Sequence, residues 1–361
     1  MTSMTHEGRQ IVGGVDTHGA THHAAVIDRL GRHLADREFA ATIGGYRDLL
    51  AWMRGQGVLA AVGVEGTGAY GAQLARVLTA ARVTVIEVNR PDRTTRRMRG
   101  KSDPIDAYAA AAAVLSGRAT GIPKSRDGMV EAVRVLRVAR RSAVKARTQA
   151  INQIRGLLVS APAVLREHLA GLSNTALMAT LTRLRPAADL SDPLAATRSA
   201  LRRLARRHQA MDTEIAELDA QLGPLVQQAA PQLTALFGAG PETAGQLLTS
   251  AGDNPDRMRS EAAFALLAGV APLPASSGRT HRHRLNRGGD RAANNALHTI
   301  VLVRMRYEPR TRAYVQRRTA EGLSKKEIMR CLKRFVAREV YHALTDPPPT
   351  QPTQQHLTPA A

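Results

Sequence analysis

Apolar residues between positions 11 and 120 come in short blocks whose period switches between that of a strand and that of a helix. Ile11-Val-Gly-Gly-Val-Asp16 is a short apolar run closed by an acid. Ala24–Asp28 and His33–Ala41 follow, with turn signals at Arg29-Leu-Gly31, and predict a three-strand meander. Gly44–Gly55 places Tyr46, Leu49, Leu50, Trp52 and Met53 at helical spacing, and Leu59–Glu65 reads as a buried strand. Ala69–Ala81 predicts a second helix through Leu74, Val77 and Leu78, and Val83–Val88 a strand rich in β-branched residues. Ser102-Asp103-Pro104 then starts a helix that runs through the alanines to Leu115, because an Asx cap followed by proline is a strong start signal.

Beyond residue 128 the pattern is helical. Leu201, Leu204, His208, Met211, Ile215, Leu218, Leu222 and Leu225 alternate spacings of three and four, a heptad seam that predicts a coiled coil or helical hairpin. An earlier helix, Val133 to Val159, carries Arg134, Arg137, Arg140, Arg141, Lys145, Arg147 and Arg155 with few acids nearby. Two readings stand for these cations, a solvated helix face or a phosphate-binding one. The resulting division is 1–10 disordered, 11–127 α/β, 128–230 helical coiled-coil middle, 231–344 α-rich, and 345–361 a disordered Pro/Gln/Thr-rich tail.

Composition narrows the function classes. The 361 residues carry a formal net charge of +21, and only six of the 51 Lys+Arg are lysine. Guanidinium groups suit bidentate phosphate contact, so a nucleic-acid partner is expected. The hydrophobic share of 43% supports real cores. Cys331 alone excludes an internal disulfide and a Cys-based zinc site, and the histidines receive no ligand role. The polar start and the absence of a long apolar run predict an intracellular, cytoplasmic protein with no membrane span.

The element order β-β-β-α-β-α-β-α resembles that of ribonuclease-H-like domains, in which acids at the ends of the first and fourth strands meet acids on a late helix. Asp16, Glu65, Asp103 and Asp106 occupy those positions here. A basic protein gains little from gathering acids at core strand ends unless they hold a divalent cation, and hard cations such as Mg²⁺ prefer oxygen ligands. Asp103 and Asp106 share one face of a first helical turn; the plainer alternative makes Asp103 an N-cap and Asp106 a complement to the helix dipole.

Two further motifs carry candidate chemistry. Phe237-Gly-Ala-Gly240-Pro-Glu-Thr243 reads either as a helix-hairpin-helix turn, with Gly238 and Gly240 admitting a phosphate, or as an ordinary glycine-rich connection. The stretch Gly269 to Arg291 contains Ser276-Ser277-Gly278 followed by Arg279, Arg282, Arg284, Arg287 and Arg291. It is either a loop or a serine hydroxyl set among guanidiniums able to stabilise a phosphoryl transition state.

Together, the acidic segments and the serine-to-Arg291 stretch resemble the IS110/IS1111 family of insertion-sequence transposases, the DEDD recombinases, from Val12 to about Leu344. The resemblance implies a RuvC-like (RNase H-like) N-terminal domain joined through a coiled coil to a C-terminal transposase domain. It implies that Asp16, Glu65, Asp103 and Asp106 bind metal, two Mg²⁺ ions with Mn²⁺ able to substitute, and that Ser277 or Ser276 is the nucleophile. DNA at element ends and target, an element-encoded guide RNA, a homodimer or tetramer, and action on nucleoid DNA are implied with it. A RuvC-like junction-resolving endonuclease and a non-catalytic DNA-architectural protein are the alternative readings.

Overall fold

The computed structural model describes residues 8–88, 102–185, 188–279 and 283–346. Residues 1–7, Arg282 and the tail beyond Asp346 lie outside the described residues. The chain forms two compact units, one of residues up to Gly128 with Ala251–Arg259, the other of Met129–Ser250 and Ser260–Ala361. The expected middle and C-terminal regions thus fall in one unit, and a short later segment joins the first. Hydrogen bonds explain that return: Asn254 donates to the Pro123 carbonyl and accepts from the Ser125 amide, while Arg257 donates to the Ile122 carbonyl and pairs with Glu87 at 3.2 Å.

The first unit is a five-stranded sheet in the order β3-β2-β1-β4-β5, from β1 (Gln10–Thr17), β2 (Thr21–Asp28), β3 (His33–Ala40), β4 (Val58–Glu65) and β5 (Val85–Val88). The meander is antiparallel, whereas β4 lies parallel to both β1 and β5, with Val15 opposite Val64. Helices α1 (Ile43–Arg54) and α2 (Ala72–Ala80) cover one face, where Ile11, Val15, Val62 and Val64 bury against Leu49, Met53, Leu74 and Leu78. Helix α3 (Asp103–Leu115) covers the other face at Val12 and Ile27. The element order is the one the apolar pattern predicts.

The second unit is helical apart from one small hairpin among the described residues. Helices α4 (Met129–Val159), α5 (Ala163–Leu169), α6 (Asn174–Arg183) and α7 (Pro193–Ala229) come first. Ion pairs Arg140–Asp219 and Arg147–Asp212 advance along α4 as they retreat along α7, so the two long helices are antiparallel. Leu201, Ile215, Leu218 and Leu222 of the heptad seam are buried, while Leu204, His208, Met211 and Leu225 are half-buried. The buried part of the seam packs within the chain as a helical hairpin. The remainder comprises α8 (Pro231–Thr234), α9 (Pro241–Ala251), α10 (Glu261–Leu267), β6 (Leu273–Pro274), β7 (His283–Arg284), α11 (Arg291–Tyr307), α12 (Pro309–Ala320) and α13 (Lys325–Thr345). No helix of the described residues is long and apolar enough to cross a membrane.

Candidate active site

Strand alternation fixes where the acids point. On β1, Ile11 and Val15 face α1 and α2, so the even positions Val12, Gly14 and Asp16 face α3. On β4, Val62 and Val64 face α1 and α2, so Gly63 and Glu65 face α3. Two glycines bring that helix down onto the sheet. A Cβ on Gly14 would stand 2.1 Å from the Ala107 carbonyl oxygen, and one on Gly63 would stand 2.8 Å from that of Ala110. The alanine run of α3 matches this need, because only small side chains let a helix backbone lie directly on strand backbone. The first turn of α3, with Asp103 and Asp106, is thereby carried to the strand ends that bear Asp16 and Glu65.

At those ends three donors converge. His18 Nε2 lies 3.1 Å from Asp16 Oδ2 and 3.4 Å from Asp103 Oδ1, and one ligand atom from each of the three residues lies within 4.8 Å of the others. Asp16 is buried and Asp103 half-exposed, so the cluster opens to solvent on the helix side. The helix cap is Ser102, which leaves Asp103 at the first helical position rather than as the N-cap. Asp106 is buried on the same turn, and Glu65 closes β4, where its carbonyl accepts from Thr17 Oγ1 at 3.0 Å. The side chains of Glu65 and Asp106 lie outside the set of mutually close ligand atoms.

His18 stands outside the expected site residues, and His18-x-x-x-His22 is a ligand-type histidine spacing that was expected to be absent. His22 itself is fully buried and stacked on Tyr46 at 5.3 Å, with its Nδ1 beside the Thr21 carbonyl and the His18 amide. Burial, the largest influence, holds its imidazole below the ordinary pKa. It is a core group, and His18 alone of the two joins the acids. Two carboxylates and one imidazole suit a divalent cation of the Mg²⁺ or Mn²⁺ type, the nitrogen favouring Mn²⁺.

The serine segment is a hairpin rather than a plain loop. Leu273 pairs with Arg284 and Pro274 with His283 in antiparallel register, which sets Ser276, Ser277, Gly278 and Arg279 toward its far end, all exposed. Its feet are pinned together: a Cβ on Gly289, whose φ is +82°, would meet the Leu267 carbonyl at 2.4 Å, and the Asp290 amide donates to that same carbonyl at 2.6 Å. Asp290 then caps α11 and accepts from Ser250 Oγ. Strands of only two residues, the first preceded by Pro272 and ending in Pro274, leave no period by which to read this pairing. Arg279, Arg284, Arg287 and Arg291 are exposed, and no carboxylate pairs with them among the described residues.

Four of the seven α4 cations weighed for phosphate contact pair with acids within the chain, Arg134 with Glu131 and Arg147 with Asp212 among them. Arg137 is buried and donates to the Glu242 carbonyl and the Gln246 amide oxygen, with the Glu242 carboxylate at 2.9 Å. Arg140 pairs with Asp219 and Glu242. The acids that neutralise Arg137 and Arg140 lie far along the chain, which is why their neighbourhood in sequence looks basic. Arg141 and Lys145 stay exposed and, among the described residues, have no carboxylate partner. The same network serves the glycine turn. Gly238, at φ +84°, packs against Ile300, the Phe237 carbonyl accepts from Arg304, and Glu242 already complements the α9 N-terminus. Gly238 thus needs its positive φ and a close fit against α11, while Gly240 borders open space.

Comparison with known proteins agrees with this arrangement. The DEDD-type IS110 family model, described as Transposase, matches residues 13–161, and the Transposase IS116/IS110/IS902 family model matches residues 230–316. The 43.6 kDa protein of insertion element IS110 from Streptomyces coelicolor is 34% identical over 108 residues, 29% of this chain and 26% of that protein. The 42 kDa protein of insertion element IS900 from Mycobacterium paratuberculosis is 31% identical over 123 residues, 33% of this chain and 31% of that protein. The matched stretches thus span about a quarter to a third of these curated relatives. The first family match contains the acidic cluster and the second contains the serine hairpin, in that order along one chain, and the protein belongs to the IS110 family of insertion-sequence transposases.

Proposed function

We propose that the protein is a recombinase that excises and inserts its own insertion sequence by metal-assisted DNA strand exchange with a serine nucleophile. The observation that carries this reading is the convergence of Asp16, Asp103 and His18 within 4.8 Å on the sheet's C-terminal edge. Asp16 and Asp103 would hold the cation, with Glu65 and Asp106 completing the site from the same strand and helix ends. Bound there, Mg²⁺ or Mn²⁺ would supply charge to polarise a scissile phosphodiester. Ser277, or its neighbour Ser276, loses its hydroxyl proton and forms an Oγ–P bond as the P–O bond to one sugar breaks. The freed sugar hydroxyl, or one from a second DNA end, later reverses the step, so the phosphodiester is conserved without ATP. Arg279, Arg282, Arg284, Arg287 and Arg291 balance phosphate charge beside the serines, and Arg141 and Lys145 extend the contact along the DNA.

An element-encoded RNA that sets specificity, and assembly as a dimer or tetramer in the cytoplasm, belong to the same reading. The basic, nearly lysine-free surface is compatible with a nucleic-acid guide. Because the buried part of the heptad seam is used within the chain, coiled-coil contact between copies would have to use other positions of the long helices.

Trapping a protein–DNA adduct under denaturing conditions tests the serine assignment. The wild-type chain should yield an adduct with element-end DNA that disappears in the Ser276→Ala Ser277→Ala variant together with strand exchange. Cleavage that persists in that variant without an adduct would contradict the serine and point to water as nucleophile.

A further inference from the structure

Beside the hairpin's base, within the second unit, lies a cavity of about 730 Å³ walled by α13 and the strand-end residues Arg284 and Leu285. Its volume lies within the ~300–1,000 Å³ typical of small-molecule sites. Lys333 forms part of the wall and is 9% exposed. Its ammonium donates to the Asn294 side-chain oxygen at 2.9 Å. Asn294 is held in that orientation, since its amide nitrogen donates to the Ala268 and Gly269 carbonyls.

Among the described residues no carboxylate pairs with Lys333, although its basic neighbours have theirs. Arg334 pairs with Glu261, Arg318 with Glu321, and Arg330 with Glu327, the acid of this wall, which also closes the Ser324 cap. Arg284 has no carboxylate partner either, among the described residues. A buried cation without a counter-ion is costly, and burial followed by Arg330 draws the Lys333 pKa down. An anion entering the cavity would remove that cost.

Val270, Leu323, Leu285 and Phe335 line the same wall among its polar residues. Phe335 is 46% exposed although it meets Tyr314 edge-on at 5.7 Å, and Leu285 is 51% exposed. Cations and an accessible aromatic in one cavity match the two halves of a nucleotide, a phosphate and a base with a π-face.

We propose that this cavity receives one unstacked nucleotide of a single-stranded segment, its phosphate on Lys333 and Arg284 and its base against Phe335 and Leu285. The inference rests on reading the chain as a nucleic-acid-handling protein and adds a place, next to the serine hairpin, where a strand is gripped by base as well as backbone. A phosphate alone would leave the aromatic side unused.

Fluorescence anisotropy with the full chain tests this, using labelled oligothymidylate, oligouridylate, and an abasic strand of equal length that keeps the phosphates and lacks the bases. The wild type should prefer a base-bearing strand over the abasic one, and the preferred sugar identifies DNA or RNA as the source. Lys333→Met should weaken base-bearing and abasic strands alike, about ten-fold, the scale of one charged hydrogen bond to phosphate. Phe335→Leu should erase the preference while abasic binding stays. Lys325→Met, an exposed lysine on the same helix, should change little. Should Lys333→Met fail to fold, exposed Arg284→Ala carries the same comparison. Equal binding of base-bearing and abasic strands, or variants indistinguishable from wild type, would overturn the pocket while leaving nucleic-acid binding intact. A protein that binds none of the strands, nor duplex DNA, would overturn both.

Discussion

Gly14 of β1 and Ala107 of α3 approach so closely that a Cβ on the glycine would stand 2.1 Å from the alanine's carbonyl oxygen. That approach sets the depth of α3 on the sheet, and with it the distance between Asp103 and Asp16. Gly14→Ala must push the helix away, since the obstacle is backbone. The expected cost is about 1–3 kcal/mol in chemical denaturation, typical of overpacking, with weaker divalent-cation binding in the fraction that folds. A variant of unchanged stability would contradict the packing described.

Arg137 and Arg141 should separate stability from binding. Arg137→Met removes the donor to Glu242 and Gln246 and should cost about 1–3 kcal/mol in unfolding measurements. Arg141→Met, at an exposed position, should stay within about 0.5 kcal/mol of wild type. Its effect belongs in DNA titrations over a range of salt, where the slope of affinity against salt should fall by roughly one.

His22 gives the first unit a pH dependence. Its folded-state pKa lies below the ordinary 6.5, with burial the main cause. As pH falls through about 6.5, the unfolded chain takes up the proton first, so stability present above that pH is lost on acidification. The loss levels off only below the folded-state value and runs at about 1.4 kcal/mol per pH unit between the two. Thermal melts from about pH 8 to about pH 5 check this. His22→Phe, which keeps the ring against Tyr46, should flatten the curve near pH 6.5.

Much of the first unit was legible because each of its elements has its own apolar period and its acids sit at element ends. Asp16 and Glu65 follow strand runs, and Asp103 and Asp106 open the alanine helix, so local pattern alone locates them. His18 was not legible, since nothing local distinguishes a histidine in a turn from one that leans over two carboxylates supplied by different elements. The spent charges of Arg137 and Arg140 were hidden for a related reason: their acids, Asp219 and Glu242, arrive only when the chain folds back. The hairpin that carries the serines escaped because two-residue strands, one of them ending in Pro274, have no period to read.

The most direct test of the account is a Mn²⁺ titration of the full chain followed by the electron paramagnetic resonance signal of the unbound ion. The expected result is saturable binding that Mg²⁺ displaces, and at least about ten-fold weaker binding in Asp16→Asn and in Asp103→Asn, on the scale of losing a ligand's support. Binding that is absent from the wild type, or unchanged in both variants, would contradict a metal centre built on these carboxylates.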